Sequence, residues 1–291
     1  MNVAIVLNYK SPNETIVCVE SLLKYCTSID FIVVVDNDSR DGSVERLCEW
    51  KSHKNNKKVT VLINASNSGY AGGNNFGIKW SLKNLSVDNF WIVNNDAYVV
   101  DDAFFPILKE LKKGDLKFIG SVIVGDKDQK IECYGGGRLY PILGKAKLLA
   151  KGKPVDFVNK CQESPDYLMG CSLAFPVAVI DKVGLMDEEY FMYSEEVDWQ
   201  YRAKKKSISI KVVRESLVYH HGSLSYGGRS EFYYYYRNRA AVRFNKRFYG
   251  ILFAFTSACF LSLITTLHEY NKPKLVWMGI KGAFKGVLMD V

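Results

Sequence analysis

Trp91-Ile-Val-Asn-Asn-Asp-Ala-Tyr-Val-Val100 opens apolar, breaks into Asn94, Asn95 and Asp96, and turns apolar again. A short apolar run between polar turns reads as a buried strand, because a helix needs more length. Strands buried on both faces belong to parallel sheets covered by helices, and such sheets bind ligands beyond their carboxyl ends. Asp96 is therefore expected at the rim of a sheet, where its carboxylate can hold a cation. The competing reading is a plain strand-end turn, which Asn and Asp stabilise by bonding their own backbone.

Outward from this stretch, the same alternation repeats. Apolar runs at residues 3–8, 31–35, 57–63 and 90–93 alternate with helical patterns that start at Pro12 with the apolar face Ile16, Val19, Leu22 and Leu23, and that cover 43–51 and 75–85. Strands separated by helices at this spacing form βαβ units and a mostly parallel α/β sheet. Further strands are expected at 118–124, 167–175, 208–213 and 217–220. Helices are expected at 101–113, at 177–183 before Gly184, and at 194–206 with Ser194 as cap. Residues 125–165 carry little periodicity. Helical pattern returns from Glu231, so the chain divides into residues 1–230 and a helical region, 231–291.

The 291 residues are 48% hydrophobic and 24% charged, ordinary for an α/β protein with a full core. Seven cysteines without a CxxC spacing fit reduced thiols, and the start of the chain reads as a strand rather than a signal peptide. A cytoplasmic location follows as the expectation. The net charge of +8 is uneven: residues 202–291 hold 16 Lys/Arg against 4 Asp/Glu. That rear implies a polyanion, either an anionic membrane surface or nucleic acid.

Two nucleotide-binding classes are disfavoured. The turn after the first strand, Asn8-Tyr-Lys-Ser-Pro-Asn-Glu14, lacks the glycines that let a backbone approach a dinucleotide pyrophosphate. No GxxxxGK[ST] loop occurs either.

Leu7-Asn-Tyr-Lys10 with Glu14-Thr15 and Glu20-Ser-Leu22, then Val35-Asp-Asn-Asp-Ser-Arg-Asp-Gly-Ser43, Asn67-Ser-Gly-Tyr-Ala-Gly-Gly-Asn-Asn75 and Asn94-Asn-Asp96, follow one another in that order. Gly184-Leu-Met-Asp-Glu-Glu-Tyr-Phe-Met-Tyr-Ser-Glu-Glu-Val-Asp198, Tyr219-His-His-Gly-Ser-Leu-Ser225 and Tyr236-Arg-Asn-Arg239 complete the series. The series resembles the inverting glycosyltransferases of family 2, in particular their bacterial rhamnosyltransferase-like branch, over roughly residues 3–245.

The resemblance implies a GT-A fold, a Rossmann-like sheet carrying a nucleoside diphosphate sugar across its strand ends. It implies donor contacts from Asn8, Tyr9, Asp36, Asn37, Asn67, Gly69, Gly72, Gly73, Asn95, Gly170, Arg237 and Arg239. Read alone, Asp36 and Asn37 fit a turn, and the glycines fit a loop that needs positive φ. Asp96 matches the metal-binding acid of the family's DxD motif, here written Asn-Asn-Asp, and His220 matches a late imidazole ligand. Together with the donor they would hold Mg²⁺ or Mn²⁺ against the diphosphate. Inversion needs a base for the acceptor hydroxyl. Glu196 matches it, with Glu195 and Asp198 in secondary roles, although acids in a first helical turn also serve the helix dipole alone.

Phe232-Tyr-Tyr-Tyr-Tyr-Arg-Asn-Arg239 continues to Arg243 and Arg247, interleaving rings with cations four residues apart. This predicts an amphipathic segment with arginines at lipid phosphates, followed by an apolar helix at 248–267 lying on or dipping into the membrane. A helix buried in the domain is the rival for 248–267. The branch commonly acts on polyprenyl-diphosphate-linked or glycan acceptors, which implies a peripheral enzyme at the inner face of the membrane and no nucleic-acid partner. A non-catalytic membrane- or polyanion-binding protein on the same fold is the second functional class.

Overall fold

The computed structural model describes residues 1–54, 56–221 and 229–291. Strands β1 (Asn2–Asn8), β2 (Phe31–Asp36), β3 (Val59–Ile63) and β4 (Asn89–Asn94) alternate with helices α1 (Pro12–Tyr25), α2 (Ser43–Lys54) and α3 (Gly69–Asn84). The first four strands run parallel in the order β3-β2-β1-β4. Val3, Ala4, Ile5 and Val6 are all at most 1% exposed, because helices cover both faces of the sheet.

Beyond β4 the sheet becomes mixed. After the two-residue β5 (Ala97–Tyr98) come α4 (Phe104–Leu111) and β6 (Lys117–Gly125). The stretch without periodicity then forms β7 (Ile131–Tyr134), β8 (Gly136–Tyr140) and β9 (Lys145–Leu148). Next are β10 (Tyr167–Leu168), β11 (Ser172–Pro176), α5 (Ala178–Val183), α6 (Glu195–Lys204) and β12 (Ser209–His220). Strand β11 lies antiparallel between β4 and β6, β12 runs parallel to β6, and β5 closes the order against β12. The two strands expected at 208–213 and 217–220 are one strand, β12, with a register shift between Val213 and Leu217. Strands β10, β8 and β9 make a separate small sheet.

The chain ends in three packed helices, α7 (Glu231–Tyr249), α8 (Ile251–His268) and α9 (Pro273–Leu288). Val242, Ala254, Ala258, Leu261, Ala283 and Val287 form their common core. Gly282 and Gly286 let α9 approach α7, since an added Cβ would stand 2.1 Å from the Tyr235 carbonyl oxygen and 2.5 Å from that of Arg239. Helix α8 is long and apolar enough to cross a membrane by length and composition.

Candidate active site

The rim of the sheet is built by its own pairing. After β4 the chain turns at Asn95-Asp96 and returns as β5 against the end of β12, with His220 opposite Ala97. The His221 amide donates to the Asp96 carbonyl at 2.9 Å, which locks the turn. Asp96 Oδ1 then stands 3.2 Å from His220 Nε2. The other ring nitrogen of His220 lies 2.9 Å from Glu132 Oε2. Burial pulls the His220 pKa down, but hydrogen bonds to Asp96 and Glu132 outweigh it and push the value up to about 10. Gly222–Ser225 of the same motif lie outside the described residues.

Among the described residues no three His, Cys, Asp or Glu side chains converge as a ready metal cage. The rim does hold a carboxylate and an imidazole together, and Asn94 Oδ1 is a buried oxygen without a hydrogen-bond partner among the described residues. Two side-chain ligands plus diphosphate oxygens and water suit an oxygen-rich octahedral ion.

Several predicted donor contacts are spent inside the protein. Asp36 is 0% exposed; it accepts from Asn8 Nδ2 at 2.6 Å, from the Ser39 amide at 3.0 Å and from Ser39 Oγ at 2.7 Å. Asn37 donates to Asn67 Oδ1 and the Gly69 carbonyl, each at 3.0 Å, and accepts from Asn64 Nδ2 at 3.0 Å. Thr15, which belongs to the first motif of the series, donates to Asn8 Oδ1 at 2.7 Å and accepts from Asn95 Nδ2 at 3.1 Å. This buried network ties three strand ends into one rigid bed. Tyr9, at 43% exposure, projects from it.

The glycine-rich segment is helix rather than loop: α3 begins at Gly69, ahead of the helical pattern expected from Asn75, and Gly72 and Gly73 lie inside it. Only Gly69 has positive φ, at 70°. A Cβ there would stand 1.9 Å from the Phe191 carbonyl oxygen, which accepts the Tyr70 amide at 2.6 Å. A Cβ on Gly73 would stand 2.4 Å from Leu7 Cδ1. These glycines thus dock α3 against β1 and against the loop before α6. Gly170 gives room for Tyr70, whose hydroxyl donates to the Gly170 carbonyl at 2.7 Å.

That loop is wound tightly. Phe191, Tyr193 and Ser194 have φ of 63°, 70° and 62°. Non-glycine residues in this region store strain and gather at functional sites. Ser194, expected to cap α6 through its side chain, sits in the left-handed region and makes no such bond. Helix α6 is held from behind instead, where Gln200 brackets Leu168 through its amide at 2.7 Å and its carbonyl at 2.8 Å. Trp199, 0% exposed, packs edge-on against Phe118 and Phe175.

The adjacent acids sit at the start of this anchored helix. Glu195 is 3% exposed, and burial, then the charge of Glu196, hold its pKa well above the usual carboxylate range. Burial pushes Glu196 up to about 7, against the pull of the Glu196 and Val197 amides. Glu196 lines a cavity of about 310 Å³ together with Tyr193, Tyr233, Arg237 and Lys145. Arg237 donates to Asn238 Oδ1 at 3.1 Å and keeps its place on the wall.

Asp198 points elsewhere. It is 0% exposed and paired with Arg247 at 2.8 Å and Arg202 at 3.3 Å. Asp187 takes Arg243 at 2.9 Å and Arg247 at 2.7 Å, while Arg239 donates to the Tyr190 carbonyl at 2.5 Å. The arginine row of α7, expected at lipid phosphates, therefore faces the body of the protein. Buried carboxylates require counter-charges, and α7 supplies them. The unpartnered apolar surface lies instead on α8 and α9, where Leu252 (70%), Leu267 (61%), Trp277 (63%) and Leu288 (76%) are exposed.

Comparison with known proteins adds an independent line. The model of glycosyl transferase family 2 matches residues 3–163, which include Asp96 and stop before Glu196 and His220. A low-salt glycan biosynthesis hexosyltransferase of Haloferax volcanii is 26% identical over 212 residues, 71% of this chain and 62% of that protein's length. The chain thus spans less than two thirds of this curated relative. Among solved structures, GalNAc-T7 with UDP, GalNAc and Mn²⁺ superposes with a TM-score of 0.70 at 14% identity, covering 99% of this chain and 56% of the other. A mannosyltransferase of Pyrobaculum calidifontis in complex with GDP-Man and Mn²⁺ superposes with a TM-score of 0.60 at 13% identity, covering 99% and 85%. At these identities the structures establish the GT-A fold.

Proposed function

Because the chain belongs to glycosyl transferase family 2, we propose that it is an inverting glycosyltransferase that moves a sugar from a nucleoside diphosphate donor to a lipid-linked or polysaccharide acceptor. One observation supports this reading above all. A carboxyl group with a pKa pushed to about 7 lines a cavity at the start of a rigidly anchored helix. A carboxylate of that pKa is a competent general base near neutral pH.

In this reading the Asn8–Asp36–Asn37 network shapes the donor bed, and Tyr9, Asn67, Asn95 and the α3 start border it. Asp96 and His220 would hold Mg²⁺ or Mn²⁺, which supplies charge neutralisation for the departing diphosphate. Glu196 takes the proton of an acceptor hydroxyl whose oxygen attacks the anomeric carbon. The bond to that oxygen forms as the bond to the diphosphate breaks on the opposite face, so configuration inverts and a nucleoside diphosphate leaves. Glu195, neutral beside it, keeps a second charge away from the base. Arg237 and Lys145 give the acceptor cavity a cationic wall suited to an anionic acceptor, and Arg239 braces the loop between them and α6.

Residues 231–291 are proposed to seat the enzyme at the inner face of the cell membrane. On α9, Trp277, Lys281, Phe284 and Leu288 are exposed at helical spacing, and Lys274 and Lys285 flank them. Exposed rings and leucines bordered by lysines match an interfacial helix on anionic lipid.

Nucleotide release from a panel of UDP-, dTDP- and GDP-sugars, with Mn²⁺ or Mg²⁺ and a lipid-linked acceptor, tests the activity. L-Rhamnose on dTDP, in bacterial surface-polysaccharide assembly, is the first pair to try, on the resemblance alone. Absence of turnover with every pair, from folded protein, would favour the non-catalytic binding protein.

A further inference from the structure

We infer that Glu132 is a positioning residue for the metal site, holding the His220 ring so that Nε2 faces the position shared with Asp96. The inference rests on the proposal that Asp96 and His220 hold the divalent ion. Glu132 belongs to no motif of the sequence and lies in the stretch without periodicity. Its Oε2 is 2.9 Å from His220 Nδ1, while Nε2 on the opposite side of the ring is 3.2 Å from Asp96 Oδ1. An imidazole that donates Nδ1–H to a carboxylate presents its Nε2 lone pair in one fixed direction, and such partners support metal-binding histidines generally.

The backbone carries a second, independent sign. Strand β7 pairs with β6 as Ile123↔Cys133 and then Val124↔Ile131, so the ladder slips at Glu132. Glu132 is the extra residue of a bulge, flanked by Ile131 at 1% and Cys133 at 0% exposure. Regular pairing would place Glu132 opposite Val124. The slip re-aims its side chain, a use of bulges that recurs beside active sites. The side chains of Asp96, His220 and Glu132 are 15%, 12% and 24% exposed, so the ring is clamped within a largely shielded site.

The experiment measures Mn²⁺ affinity in the presence of UDP, by electron paramagnetic resonance of free Mn²⁺, for wild type, Glu132→Ala, Glu132→Gln, His220→Ala and Asp96→Ala. Glu132→Ala is expected to weaken Mn²⁺ binding by about 10–100-fold. Glu132→Gln, whose amide oxygen still accepts Nδ1–H, should recover most of the loss. Excess Mn²⁺ should restore turnover in Glu132→Ala, so the apparent metal constant moves and kcat follows little. Nitrogen NMR of His220 in the Mg²⁺–UDP form should report a single Nδ1–H tautomer in wild type and a mixture in Glu132→Ala. Unchanged affinity in Glu132→Ala, with His220→Ala weakened more than tenfold, would overturn the role of Glu132 alone. Unchanged affinity in His220→Ala and Asp96→Ala would overturn the metal site, and the role of Glu132 with it.

Discussion

Two groups of acids face the same active-site region and are built in opposite ways. At the sheet rim, Asp96 and Glu132 share one imidazole, one at each ring nitrogen. At the start of α6, Glu195 and Glu196 stand side by side in a buried setting, and the nearby guanidinium pairs go to Asp198 and Asp187 instead. Carboxylates gathered around one imidazole are suited to a cation. Uncompensated ones take up protons, which suits a base that must also give its proton away. The difference arises from strand pairing at the rim and from the arginine row of α7 at the helix.

The comparison breaks most directly at Glu196. Replacing it by Gln keeps the shape and removes the base, so turnover with the best donor–acceptor pair should fall by about 10²–10⁴-fold. Substantial residual turnover would assign the base elsewhere. At the rim, Asp96→Ala or His220→Ala should weaken Mn²⁺ binding more than the roughly 10–100-fold typical of losing a supporting residue. Turnover of Asp96→Ala should then depend on added metal, whereas Glu196→Gln should bind Mn²⁺ as wild type does.

Removing a counter-charge makes one region resemble the other. Arg247→Met leaves Asp198 with Arg202 and Asp187 with Arg243, and should cost about 1–3 kcal/mol, below the full loss of a buried pair. Denaturant melts at pH 7 measure it; an unchanged midpoint would mean that the remaining arginines suffice.

The pH dependence sharpens the contrast further. In the proposed role Glu196 works ionised, and burial pushes its pKa up to about 7, so kcat/KM should rise with pH through an acid limb centred near 7. The limb should approach a tenfold change per pH unit on its acid side. Glu195 gives the smallest effect. Its raised folded pKa means that folding takes up a proton once the unfolded carboxyl has ionised. That contribution is full below the ordinary carboxylate range and is lost as pH rises through the raised folded value. Glu195→Gln should therefore flatten the fall in melting temperature between pH 5 and pH 8. An equal slope in both proteins would show that Glu195 is ionised in the fold.

The alternation of apolar strands and helices made the sheet readable in advance, because burial on both faces leaves a continuous apolar run such as residues 3–6. Asp96, Glu196 and His220 were singled out from the order of motifs alone, and their proposed roles rest on that resemblance. Glu132 was not, since an isolated acid in an aperiodic stretch carries no local signal. The arginine row of α7 misled in one respect. Helical spacing placed Arg243 and Arg247 on a shared side, but only the buried Asp187 and Asp198 decided which way that side turns.

The sequence by itself therefore determined the α/β alternation, the polar strand ends and the identity of the acids, since these depend on local pattern and residue chemistry. Tertiary structure decided what each acid can do. Asp96 meets His220 because β5 returns along β12, and Glu132 reaches the same ring because β7 slips by one residue against β6. Protonation, orientation and charge compensation depend on neighbours that are distant in the chain, and only the folded sheet brings those neighbours within a hydrogen bond of one another.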